Sequence, residues 1–307
     1  MPIITVQGLI PEEELGVTLS HEHVLCDLWG LTKSYDAILD DQELAVQELL
    51  HYKDLGGKSL VDATSIGLGR NPAALRQIAH TAGLNLIMGS AWYRERLYPS
   101  YVFELSTKAL AEIIVKDITV GADGTDIRAG IIGEIGTERY HITPAQERVF
   151  RASAHAQRHT GASIWTHTTH FGELALEQIA LLRDEGVPPN RIVICHLGDH
   201  YSPRNLIQIA EQGVFLSIDN IGYCGDGYGK DDWRARNVAC LAAAGHRHQI
   251  LLSGDICNKQ HLKTYGGKGY GHVLSKFVPL LRNQGLSEED IYTMMVTTPA
   301  KALSVAQ

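Results

Sequence analysis

Two histidines stand two residues apart in the segment VTLSHEHVLCDLW, which runs from Val17 to Trp29: His21 and His23. Imidazoles at this spacing can grip one metal ion when the backbone is extended, because alternate side chains of a strand share a face. The motif is weak when taken alone. With 15 histidines in 307 residues, about one such pair arises by chance. A second pair does occur, His246 and His248 in GHRHQ. Only the elements that carry each pair can separate them.

The composition permits a large folded core: 44% of residues are hydrophobic and 20% charged, as in ordinary globular proteins. A net charge of −8 without a basic block argues against nucleic acid as a partner. No apolar run approaches the roughly 20 residues that span a bilayer. The opening MPIITVQGLIPEEELG lacks a basic stretch and is broken by Pro and Glu, so it does not read as a signal peptide, and the expected compartment is cytoplasmic. Five cysteines, odd in number and without C-x-x-C spacing, read as reduced thiols.

A rhythm runs along the chain. Short apolar stretches begin at Val17, Ser59, Leu84, Ala129, Ala162, Arg191, Val214 and Gln249. Each is nearly continuous in apolar character, as expected of strands buried on both faces of a parallel sheet. Between them lie helical patterns with capping residues at the start, such as Asp41 and Thr143, and glycines at the stop, such as Gly83, Gly161, Gly186, Gly213 and Gly245. About eight helix–Gly–strand units predict an α/β fold, a (β/α)₈ barrel in a single domain over residues 1–307. A doubly wound open sheet is the alternative, but its Gly-rich first turn is absent; GLGRNP lacks the G-x-G-x-x-G spacing.

Active sites of such barrels lie at the C-terminal strand ends. There the first strand delivers His21 and His23, with Glu22 turned outward. The fourth carries Glu134, the fifth His167, the sixth His196 and the eighth Asp255. Four imidazoles and two carboxylates are more than one tetrahedral ion needs, and they suit two divalent cations sharing a carboxylate: zinc first, with manganese or cobalt as alternatives. Any one of these histidines taken singly is more often a hydrogen-bonded core or rim residue; convergence of the whole set is what points to metal. His246 and His248 precede the eighth strand and fall on the opposite face, near the negative end of a helix. His170 and His200 follow the proposed ligands as loop or supporting residues. Nucleophilic serine chemistry is disfavoured because no G-x-S-x-G elbow is present, and no lysine falls at a strand end for a Schiff base.

The segments GVTLSHEHVLCDL, AGIIGEIGT, ASIWTHT, IVICHLGD, LLSGDICNKQHL and GGKGYGHVL, in that order, resemble the amidohydrolase superfamily. They resemble most closely the phosphotriesterase family and its phosphotriesterase-homology and lactonase branches. The resemblance assigns His21, His23 and Asp255 to a more buried metal and His167 and His196 to a more exposed one. Glu134 would bridge both, together with a hydroxide that attacks a lactone or carboxylic ester, and Asp255 would accept the proton. The best-known members bridge with a carboxylated lysine, so glutamate puts efficient phosphotriester hydrolysis in doubt. Phosphotriester or phosphodiester hydrolysis on the same metals, or metal binding without turnover, are the other readings. Tyr93 stands where lactonases of the family carry a substrate tyrosine, and Asn220 aligns where many carry arginine. The resemblance implies a small-molecule substrate and, since dimers are common among such relatives, allows a homodimer, while the lack of a long apolar run argues against a membrane partner. The loop cations Arg70, Arg94, Arg96, Arg139, Lys259, Lys263 and Lys268 would favour an anionic substrate if several face the mouth; solvated loop charge is the alternative.

Overall fold

The computed structural model describes residues 1–169, 172–200, 202–225 and 227–305. Eight short parallel strands form the barrel: β1 (Thr18–Glu22), β2 (Ser59–Asp62), β3 (Asn85–Met88), β4 (Ile132–Gly136), β5 (Ile164–His167), β6 (Ile192–Cys195), β7 (Phe215–Ile218) and β8 (Ile250–Leu252). Regular ladders join β1 to β3 in one group and β4 to β8 in another. Two seams complete the circle. Between β8 and β1, Ser20 Oγ donates to the Leu252 carbonyl (3.1 Å), and the His21 amide donates to Ser253 Oγ (2.8 Å). Between β3 and β4, the Gly130 amide donates to Met88 O (2.9 Å) and the Gly133 amide to Ser90 O (2.8 Å). Gly89 permits the close approach there, since a Cβ would lie 2.2 Å from the Gly133 carbonyl oxygen.

The strands are apolar throughout because both faces are covered. Val61, Ile87, Ile131, Trp165, Val193, Phe215 and Leu251 pack together inside the barrel. Their neighbours Leu60, Leu86, Ile132, Ile164, Ile194, Leu216 and Leu252 belong to the separate cluster under the helices. The N-terminal segment, which carried no fold assignment in the sequence, makes an antiparallel hairpin (Pro2–Thr5 with Gly8–Pro11). Its Ile3, with Leu15 and Leu303, joins the inner cluster and plugs one end of the barrel. Chain polarity then leaves the other end, where the strands finish, for chemistry.

Outside the strands lie α1 (Gln42–Asp54), α2 (Pro72–Ala82), α3 (Thr107–Thr119), α4 (Pro144–Thr160), α5 (Ala175–Asp184), α6 (Pro203–Ala210), α7 (Asp231–Ala243) and α8 (Val278–Asn283). Asp41 caps α1 by accepting from the Leu44 amide (3.0 Å). Thr143 and Gln146 form a reciprocal capping box on α4, which stops at left-handed Gly161. Among the described residues no helix is long and apolar enough to cross a membrane.

Glu22, the residue between the two histidines, is turned outward as the sequence suggests. It points away from the mouth but not to solvent: it is fully buried and accepts from Ser253 Oγ (2.7 Å) and from the amides of Gly254 (2.6 Å) and Ile256 (2.8 Å). Alternation predicts only which face a residue takes. Here that face abuts the β8–β1 seam, where unpaired donors need an acceptor. Burial pushes the Glu22 carboxyl up to about 7 against those three donors.

Candidate metal centre

Each strand end aims its side chain by a local device. On β1, Leu19 packs outward, and a register shift between Leu19 and Glu22 brings His21 to the inner face, where it and His23 stand with ring centroids 5.6 Å apart. On β4, Ile132 and Ile135 both pack outward, a spacing of three that strict alternation forbids. The register shifts between them, and the extra residue turns Glu134 toward the mouth. On β6, Cys195 packs inward, so an extended His196 would face the helices. Its left-handed backbone (φ 64°) turns the imidazole inward instead, and Asp255 beyond β8 is likewise left-handed (φ 54°). Such conformations are uncommon for residues with a Cβ and persist where surrounding contacts over-determine them.

Six side chains from five strand ends therefore meet. Glu134 Oε1 lies 2.8 Å from His167 Nδ1 and 2.7 Å from His196 Nε2, while its Oε2 faces His21 Nε2 at 3.8 Å. Asp255 Oδ1 lies 3.4 Å from His23 Nε2 and 3.7 Å from His21 Nε2, and its Oδ2 is 3.9 Å from His196 Nδ1. Donor atoms of His21, His23 and Asp255 lie mutually within 4.8 Å, as do those of His21, Glu134 and His196.

The protonation pattern of this set fits cations. Both ring nitrogens of His21 are buried and lack a hydrogen-bond partner. Burial lowers its pKa despite the nearby carboxylates, so the ring is neutral and presents a lone pair. An orphaned polar atom in a core is costly unless something binds it. Thr64 Oγ1 donates to Asp62 (2.6 Å), so His23 Nδ1 must donate to Thr64 (2.9 Å), leaving Nε2 as an acceptor facing Asp255. Burial alone would depress His23, but Asp255 carries it up to about 8. A positive charge at Nε2 is thus favoured, and a metal ion there would serve in place of the proton.

Asp219 does the same for His196. It accepts from the His196 amide (3.0 Å) and from Nδ1 (3.1 Å), which sets Nε2 against Glu134. Burial would raise the Glu134 carboxyl, but His167 and His21 with the His196 contact hold it well below the usual range. His167 is lowered to about 4, first by burial. An ionised carboxylate thus lies among imidazoles. These donors fit divalent cations with nitrogen and oxygen preference.

Other sequence assignments fall as follows. Tyr93 lines the mouth cavity, about 230 Å³ in volume, with Arg94, Asn220 and Tyr228 beside it. Its hydroxyl also lies 3.3 Å from His167 Nε2. Asn220 donates to Asp199 Oδ2 (2.9 Å). His246 pairs with Gln249 (2.9 Å) at the start of β8, away from the mouth. His200 is buried behind the loop after β6, and its Nδ1 accepts from the Ser202 amide (3.1 Å). His170 lies outside the described residues. Arg70 and Arg139 are committed to carboxylates, Asp117 and Asp123 for the first and Glu173 for the second. Arg94 lines the mouth, bonded to Glu138, and Lys268 lines the adjoining cleft.

Sequence reasoning missed Asp219, although alternation from Phe215 through Ser217 gives its inward phase. It also missed Arg234. This fully buried side chain on α7 pairs with Asp199 (2.7 Å) and Asp231 (2.9 Å) and donates to the Tyr223 carbonyl (3.0 Å), fastening the loop after β7 behind the mouth. Arg234→Ala leaves Asp199 buried without its counter-charge, while Asp231 keeps His272 at 2.7 Å, and should cost about 3–5 kcal/mol. The urea midpoint measures this, and an unchanged midpoint would show that water replaces the guanidinium freely.

A family model described as the phosphotriesterase family matches residues 1–303. The phosphotriesterase homology protein of Escherichia coli is 34% identical over 286 residues, 93% of this chain and 97% of that one. Its crystal structure, with phosphate in the active site, superposes with a TM-score of 0.91 over 95% of this chain and 99% of that one. A lactonase from Listeria monocytogenes matches at 30% identity and TM-score 0.93 over the full length of both chains. Human N-acetyltaurine hydrolase is 28% identical over 339 residues, 98% of this chain and 97% of that one. End-to-end agreement in sequence and in barrel geometry thus places the chain in the phosphotriesterase family, among metal-dependent hydrolases.

Proposed function

We propose that the chain is a single hydrolase domain that cleaves a lactone or carboxylic ester with two divalent cations, zinc first. His21, His23 and Asp255 hold the inner ion, His167 and His196 the outer one, and Glu134 lies between the two groups. The observation that carries this reading is the position of Glu134, with one oxygen against His167 and His196 and the other toward orphaned His21. The full-length similarity to a lactonase supports the substrate class.

When bound, the cations supply Lewis acidity and bring the pKa of water from 15.7 toward about 7. The remaining work belongs to the chain. The mouth cavity opens onto His167, His196 and Asp255, so a substrate carbonyl there meets the outer histidine pair and the carboxylate together. Asp255 accepts the proton of the attacking water and delivers it to the departing alkoxide. Tyr93 walls the cavity and orients His167 through its hydroxyl. Glutamate at position 134 gives the two oxygens of a bridge on a short side chain without carboxylation.

Metal analysis followed by a hydrolysis screen tests the reading. The screen spans lactones, aryl esters, a paraoxon-like phosphotriester and N-acetyltaurine as an amide, the last included because relatives are N-acetyltaurine hydrolases. The expected result is about two ions per chain, lactone or ester turnover well above the other classes, and loss of turnover on chelation with recovery on adding zinc. Turnover that survives complete chelation would refute it.

A further inference from the structure

We infer that Tyr223 is a positioning residue, which with His261 holds Asp255 in place through the Asp255 backbone carbonyl. This rests on the reading of Asp255 as a ligand and proton acceptor. The left-handed Asp255 needs its peptides held from several sides, and they are. Its amide donates to the His21 carbonyl (3.1 Å), and the flanking amides of Gly254 and Ile256 donate to Glu22 (2.6 and 2.8 Å). Those three bonds all come from β1. The Asp255 carbonyl accepts from the Tyr223 hydroxyl, in the loop after β7. That bond is the only one of the four that leaves the seam.

The hydroxyl has one proton, which goes to Asp255. His261 Nδ1, 2.8 Å from the same oxygen, must therefore carry a hydrogen and donate it. The chain His261 N–H to Tyr223 O–H to Asp255 C=O ties together the loops after β7 and β8 and the end of β8. Tyr223 and His261 also line a cleft of about 380 Å³ beside the mouth, and Tyr228 lines both cavities. The hydroxyl thus stands between that cleft and the Asp255 peptide. The Tyr223 ring packs edge-on against Tyr228 at 5.1 Å, a contact that phenylalanine retains. Tyr223→Phe therefore removes the hydroxyl with little change in packing.

The test measures zinc affinity by chelator competition in the full chain, for Tyr223→Phe, Asp255→Ala and the double variant, with kcat and KM on the best ester of the screen as a second readout. Supporting partners of ligands are typically worth 10–100-fold in affinity or rate. Tyr223→Phe should weaken zinc about 10-fold and lower kcat about 10-fold, with KM within about twofold. In the Asp255→Ala background it should cause no further loss of zinc affinity, because the residue acts through Asp255. His261→Asn, which keeps a donor, should lose less than His261→Ala. A rise in KM alone, an equal zinc loss in both backgrounds, or no change would overturn the inference. Unchanged zinc affinity and turnover in Asp255→Ala itself would instead overturn the underlying reading, and the inference with it.

Discussion

Glu134→Ala should empty the site of metal and abolish turnover together. The carboxylate is the one group that touches both the outer histidine pair and the inner His21 side. Without it, His167 loses its carboxylate partner, while His21 and His196 still face Asp219 and Asp255. The ring centroids already lie 5.0 Å apart for His21 and His196 and 4.5 Å for His167 and His196. Two cations held by these groups would repel without a carboxylate shared between them. Loss of a ligand should exceed the 10–100-fold typical of supporting residues, so affinity should fall by more than about 100-fold and the rate approach the uncatalysed background. Elemental analysis of dialysed protein alongside an ester assay checks both. Two ions retained at full occupancy would show that Glu134 does not bridge.

Asp255→Asn should separate metal binding from proton transfer. Asparagine keeps an oxygen where Asp255 Oδ1 faces His23 and His21, so most of the metal should remain. It cannot accept a proton at neutral pH. General acid–base catalysis contributes about 10²–10⁴-fold, so kcat should fall by about that factor, or about 3–5 kcal/mol of barrier. KM should move little, because the change is in a group that acts in the transition state. Steady-state kinetics on metal-replete protein reads the result. If kcat is unchanged, the proton leaves by another route.

These two predictions concern residues that the sequence names plainly, and the reason is local. Each strand is a run of residues apolar on both faces, and each helix announces itself with a cap and a glycine stop. His21, His23, Glu134, His167, His196 and Asp255 fall at the ends of such runs, so one rule about barrel polarity collects them. The ligand identities and the eightfold rhythm are therefore properties of short windows.

Their aim is not. Alternation alone would send His196 outward beside Cys195; a left-handed backbone, backed by Asp219 on the next strand, turns it inward. Glu134 depends on a register shift in β4. Glu22, the outward-turned residue of the H-x-H motif, accepts three hydrogen bonds from residues more than 200 positions away. Tyr223 and Arg234 carry no motif at all; they matter through the backbone carbonyl or carboxylates they reach.

The order of residues alone thus determined the barrel and which donors lie at its mouth, because periodicity and capping are encoded within a few residues. The closed circle of strands decided where each donor points, which nitrogen is left with a lone pair and which loops grip Asp255. Those depend on hydrogen bonds across the β8–β1 seam and between neighbouring strand ends, where the two partners are distant in sequence and neither signals the other.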